Sequence, residues 1–105
     1  PPKWDFKWRI VIFDIPELKK RSRDSFRGKL QEIGFYQLQE SVFVFPFDCK
    51  EVIDYFAAIH SLKRYVQYVI AETIETQTNL VHWFLKKGIL KKSMFSSKRN
   101  LKVKS

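Results

Sequence analysis

Cysteine is almost absent. Cys49 is the only one in 105 residues, so neither an intramolecular disulfide nor a cysteine zinc cluster can form. That usage leads us to expect a reducing, cytoplasmic location. Glycine is nearly as scarce: Gly28, Gly34 and Gly88 lie too far apart to make a phosphate-cradling loop, which argues against a nucleotide cofactor. The two histidines, His60 and His82, have no Cys, His or acid at ligand spacing and are expected to be structural. No run approaches the ~18 uncharged apolar residues that span a bilayer, so no membrane association is expected. The opening Pro1-Pro2-Lys3-Trp4-Asp5 has neither the basic nor the apolar region of a secretory signal.

Aromatic carbon and positive charge are abundant. Hydrophobic residues make up 45% and aromatics 16%, with ten Phe, enough for a packed core in one domain. The 20 Lys and Arg against 11 Asp and Glu leave a formal charge of +9, which suggests a polyanionic partner, DNA or RNA before a membrane surface. The excess is uneven. Up to Leu85 there are 12 basic and 11 acidic residues; from Lys86 onward there are 8 basic residues and no acid. Residues 86–105 are therefore expected to be a flexible basic tail. Residues 8–85 are expected to form the domain, with residues 1–7 as a linker ahead of it.

Periodicity supplies the elements. Trp8 to Ile15 is a β-branched and aromatic run ended by Pro16, and both its faces are largely apolar, as in a central strand. A helix is predicted from Pro16 to about Ile33, stopped by Gly34, with Leu18, Phe26, Leu30 and Ile33 as its apolar stripe. Phe35–Gln39 and Ser41–Phe47 read as strands two and three. Asp48 caps a helix through Leu62, with Glu51 completing a capping box and Val52, Tyr55, Phe56 and Ile59 as its stripe. Tyr65–Ala71 is a fourth strand, and Asn79–Leu85 a short amphipathic helix carrying Leu80, Trp83 and Phe84. The order βαββαβ predicts an α+β, ferredoxin-like sandwich with a short C-terminal helix. Two helices cover one face of such a sheet, yet strand three is apolar on both. A second copy, pairing sheet to sheet, is the simplest cover.

Few residues offer chemistry. Asp14 is the lone acid of the first strand, at its C-terminal end, where it can hold a hard divalent cation or cap the following turn as an Asx-turn. Lys19, Lys20, Arg21, Arg23 and Arg27 crowd the start of the first helix against its macrodipole. They are candidate phosphate contacts; the alternative is a solvated face paired with Glu17 and Asp24. Cys49, beside Asp48 at a helix start, is a candidate for a lowered thiol pKa. Trp4 and Phe6 precede the first strand and can either pack or stack.

Ile12-Phe13-Asp14-Ile15-Pro16, then Arg21, Arg23, Leu30, Gly34-Phe35, Gln37-Leu38-Gln39 and Ser41-Val42-Phe43, together resemble the small CRISPR-associated endonuclease Cas-two over about residues 8–72. The same stretch resembles the Cas-two-like central domain of the PaaX transcriptional repressors. There Trp4-Asp5-x-Lys7-Trp8-Arg9 ahead of the strand and Asp14-Ile15-Pro16-Glu17 after it are typical, and a winged-helix DNA-binding domain normally precedes them. Phe45-Pro46-Phe47-Asp48-Cys49 departs from Cas-two and is nearer the PaaX-like domain. The Cas-two resemblance implies a nucleic-acid-binding homodimer in which Asp14 faces its symmetry mate and binds Mg²⁺ for phosphodiester hydrolysis. It also implies a scaffolding role beside the CRISPR integrase, with the basic residues of helix one gripping duplex DNA. The PaaX resemblance implies a dimerisation domain without catalysis.

Overall fold

Why each run stops where it does determines what surrounds Asp14. The structure, a computed structural model, describes residues 3–95. Strand β1 (Trp8–Phe13) ends before Asp14-Ile15-Pro16, where proline has no N–H for a ladder. A 3₁₀ turn, Glu17–Lys19, then leads into helix α1 (Lys20–Ile33). The helix was expected directly after Pro16. That one-turn delay rotates Leu18 off the buried stripe and leaves it fully exposed, while Phe26 and Leu30 are buried as expected.

Strands β2 (Tyr36–Gln39) and β3 (Val42–Phe45) follow, joined by a two-residue link with a register shift at Gln37/Gln39. Helix α2 (Lys50–Ile59), a 3₁₀ turn (Lys63–Tyr65), strand β4 (Val66–Ala71) and helix α3 (Gln77–Lys86) complete the order. The sheet runs β2-β3-β1-β4 with every neighbour antiparallel, the ferredoxin-like arrangement the element order predicts.

All three helices end alike. Phe35 N–H donates to Leu30 O at 3.0 Å, Leu62 N–H to Ala57 O at 2.7 Å and Ile89 N–H to Phe84 O at 3.0 Å. Each is the long bond of a Schellman motif, and the preceding residue sits in the left-handed region: Gly34 (φ 115°), Ser61 (φ 56°) and Gly88 (φ 78°). Gly34 is doubly constrained, because a Cβ there would lie 2.7 Å from Ile89 Cδ1.

Two cores flank the sheet. On one face Val11, Phe13 and Phe43 meet Phe26 and Leu30 of α1 and Ile53 and Ala57 of α2. The expected α2 stripe is corrected here. Ile53 and Ala57 are buried and Phe56 is half-buried, whereas Val52, Tyr55 and Ile59 are exposed. The α2 sequence is apolar on most sides, so its pattern could not choose the face; small Ala57 allows the close approach. The capping box also differs: Asp48 Oδ1 accepts Lys50 N–H at 3.2 Å, and no side-chain bond caps the helix from Cys49.

On the other face Trp8 and Val44 pack with Leu80 and Phe84 of α3, together with Trp4, Leu90 and Met94. Trp4 N–H donates to Met94 O at 2.8 Å. The packed body therefore extends beyond the expected 8–85 at both ends, because Trp4, Leu90 and Met94 each bury an apolar side chain on the sheet. Lys98, Arg99, Lys102 and Lys104 of the expected tail lie outside the described residues. Among the described residues, no helix is long and apolar enough to cross a membrane.

Candidate functional site

The second face of the sheet is only half covered. Register places Ile10 beside Val44 and Val69, under α3, and Ile12 beside Val42 and Gln67, beyond its reach. Ile12 is 41% exposed, and Gln67 and Asp14 are exposed with it. Helix α3, with only ten residues, spans about 15 Å and cannot seal the whole face.

Asp14 sits at the rim of that open half. Its backbone N–H donates to Tyr65 O at 3.0 Å, extending the β1–β4 ladder by one residue. Its carboxylate takes no hydrogen bond from any described residue, so the Asx-turn expected as the structural alternative does not form. Ile12, Asp14, Arg64 and Gln67 line a shallow recess together with Phe13 and Tyr65. Arg64 lies over the Tyr65 ring, 5.4 Å from its centroid. Sequence reading missed Arg64. The antiparallel β1–β4 neighbourhood of a ferredoxin-like sheet was the signal that could have found it, since the residues before β4 must meet those after β1.

The five basic candidates separate into two sets. Arg23 pairs with Glu17 at 3.3 Å and lies 3.6 Å from Asp24; Arg27 pairs with Asp24 at 3.4 Å and lies 5.7 Å over the Phe13 ring. Both side chains are largely buried and act as struts between α1 and its surroundings. Lys19, Lys20 and Arg21 have no ion-pair partner among the described residues, and Lys20 and Arg21 are exposed. The 3₁₀ turn carries them from Asp14 to the start of α1, so acid and cations share one end of the molecule.

Cys49 is not activated. Burial pushes its thiol up to about 11, with the Tyr68 hydroxyl at 3.8 Å opposing and the nearby Asp48 carboxylate adding to the rise. Burial raises the Tyr68 phenol as well, and its hydroxyl links Cys49 N–H (3.1 Å) to Asp48 Oδ1 (3.2 Å). At pH 8 the thiolate fraction is then about a hundredfold below that of a free cysteine, and alkylation by iodoacetamide should slow accordingly. Mass spectrometry of the alkylation time course checks this, with the rate in urea as reference. Folded and unfolded rates within about threefold of each other would refute it.

The remaining conspicuous polar cluster is structural. Arg9 is buried on β1 and makes a bidentate pair with Asp5, Nη1 to Oδ1 at 2.8 Å and Nη2 to Oδ2 at 2.6 Å. Arg9 Nη1 also donates to Lys7 O (3.0 Å) and Pro46 O (2.9 Å). The Trp4 indole donates to the same two carbonyls, at 3.1 and 2.7 Å. Trp4-Asp5-x-Lys7-Trp8-Arg9 is thus fastened to Phe45-Pro46-Phe47. The two stretches that read as PaaX-like in the sequence are one hydrogen-bonded unit in space.

Among the described residues, no three His, Cys, Asp or Glu side chains gather where a metal could bind. One chain offers Mg²⁺ the single Asp14 carboxylate, with the Arg64 guanidinium in the same recess. Mg²⁺ is usually held by one or two carboxylates besides substrate oxygens, and a cation beside the ligand opposes it. The residues of one chain do not fit the ion.

A search of curated proteins finds no match. The family model described as the PaaX protein central Cas2-like domain matches residues 1–81, from the N-terminal clamp through the sheet and into α3. With the ferredoxin-like sheet and that clamp in place, the chain belongs to the PaaX central Cas2-like domain family.

Proposed function

We propose that the domain is the two-fold dimerisation module of a PaaX-type transcription regulator, with Lys19, Lys20 and Arg21 as accessory phosphate contacts. The half-covered sheet carries this reading. Helix α3 and the terminal segments seal the Trp8/Val44 half and leave the Ile12/Val42/Gln67 half open. A second copy buries that strip without unfolding anything. Nucleic-acid contact is assigned to Lys19, Lys20 and Arg21 because their charges are unspent, whereas Arg23 and Arg27 are committed to Glu17 and Asp24.

The salt dependence of DNA binding tests the phosphate contacts. Replacing Lys19, Lys20 and Arg21 together by Gln should make the slope of log K against log salt shallower by about 2–3, at roughly 0.9 per phosphate lost. Replacing Arg23 and Arg27 should lower stability and leave the slope nearly unchanged. An unchanged slope in the triple variant would remove the basic helix start from any interface.

A second reading, Mg²⁺-dependent phosphodiester hydrolysis, is favoured by one observation: the Asp14 carboxylate is exposed and has no partner among the described residues. It requires a second ligand set from another copy. Labelled DNA and RNA incubated with Mg²⁺ or EDTA decide it. Cleavage abolished by Asp14→Ala would establish hydrolysis; its absence leaves the regulator module.

A further inference from the structure

The open half of the sheet ends in a recess that holds one charge of each sign. Asp14 and Arg64 line it together, and neither has an ion-pair partner among the described residues. A guanidinium lying over a ring, as Arg64 lies over Tyr65, keeps its in-plane N–H donors for a carboxylate. Beside the recess, Ile12 and Val42 are paired in register and supply the adjoining apolar surface.

An isologous interface makes every contact twice. Two recesses holding an acid alone would set carboxylate against carboxylate. Two recesses holding one acid and one guanidinium each can alternate four charges around the axis with no excess of either sign. We propose that two copies of this chain close with their two-fold axis through this recess, Asp14 of each copy paired with Arg64 of the other. The inference rests on the dimer reading above and deepens it by naming the residue each copy contributes to the other's site. Since neither side chain forms an ion pair with another described residue, the cross-pairing breaks none of those.

Sedimentation equilibrium of the full chain at moderate salt in EDTA tests it, with circular dichroism to establish folding. D14R and R64E alone should each raise the dimer dissociation constant at least about tenfold, because like charges then meet twice. Mixing folded D14R and R64E one to one should restore association to within about threefold of the parent, as a heterodimer. D14N and R64Q, which only neutralise, should weaken association in the same direction by less. A parent chain that stays monomeric in EDTA and in Mg²⁺ alike overturns the dimer reading and this pairing together. A dimeric parent whose single charge swaps change nothing, or whose folded swaps fail to rescue each other, overturns the pairing alone. So does a dimer that needs Mg²⁺ and is lost in EDTA, since Asp14 would then meet a cation in place of Arg64.

Discussion

Truncating Phe84 to alanine should destabilise the domain by about 3–5 kcal/mol, the range for removing a buried aromatic ring. The ring is fully buried and meets Phe45 edge-on at 6.2 Å, Trp83 edge-on at 5.0 Å and Trp8 at 6.0 Å. No other side chain of α3 makes as many ring contacts, so the loss falls on the docking of that helix. A domain of this size has about 5–15 kcal/mol in total, and the variant should sit near the edge of folding at 37 °C. Urea unfolding at 25 °C measures the loss. Phe84→Leu, which keeps most of the volume, should cost less than half as much. Trp83→Ala, at a half-buried position, should fall between them. Amide exchange gives a second readout: α3 amides in Phe84→Ala should exchange faster, while those of β1 and β3 follow only the global loss. A change below about 1 kcal/mol would mean that α3 does not seat on the sheet.

How much of this was legible from the residues varies with the pattern each element carries. β1 and β3 were readable because a two-sided apolar run bounded by proline or a tight link has few alternatives. The α3 stripe Leu80/Phe84 was readable for the same kind of reason: polar residues flank it. α2 was not. Val52, Ile53, Tyr55, Phe56, Ala57 and Ile59 surround the helix axis, so burial is settled by what α1 and the sheet leave room for. Leu18 failed differently, since a single 3₁₀ turn after Pro16 shifts the phase, and nothing in Glu17-Leu18-Lys19 distinguishes 3₁₀ from α. At the ends of the domain, Trp4, Leu90 and Met94 pack on the sheet although the composition around Leu90 and Met94 is basic and nearly free of apolar runs. Trp4, Leu90 and Met94 are isolated in sequence, and only the uncovered sheet face gives them somewhere to go.

The site was legible in its acid and in part of its base. Asp14 stood out as the one charge in an apolar strand. The basic cluster stood out too, but ion pairing divides it, and sequence spacing alone could not say that Asp24 serves both Arg23 and Arg27. Arg64 was hidden because its importance comes from strand neighbourhood rather than from its own segment. Cys49 was judged from its position at a helix start, whereas its surroundings, above all burial, decide its protonation.

Breaking the Arg9–Asp5 clamp should cost nearly as much as opening the core, through electrostatics rather than volume. The Arg9 side chain is 8% exposed and feeds two carbonyls as well as the carboxylate, so Arg9→Ala unpairs Asp5 and leaves the Lys7 and Pro46 carbonyls to the Trp4 indole alone. Removing one partner of a buried pair costs about 3–5 kcal/mol. Asp5 is 47% exposed and regains water, so about 2–3 kcal/mol is expected here. Arg9→Lys should recover only part of this, because an ammonium cannot bond both carboxylate oxygens and Pro46 O together. The pH dependence separates charge from packing. The Arg9 hydrogen bond holds the Asp5 carboxyl below its ordinary 3.8, against the opposing effect of burial and with further help from the Lys7 N–H bond. A carboxyl lowered on folding stabilises the native state above its unfolded pKa, and that stabilisation is lost as pH falls through the folded value. The parent should therefore lose stability below about pH 4 with a steeper limb than Asp5→Asn, while the two run parallel from pH 5 to 8. Arg9→Met, which keeps the apolar stem, should flatten the acid limb as Asp5→Asn does. If instead the acid limb of Arg9→Met matched the parent's, the pair would contribute packing alone, and the N-terminal segment would be held by Trp4 on the Pro46 carbonyl.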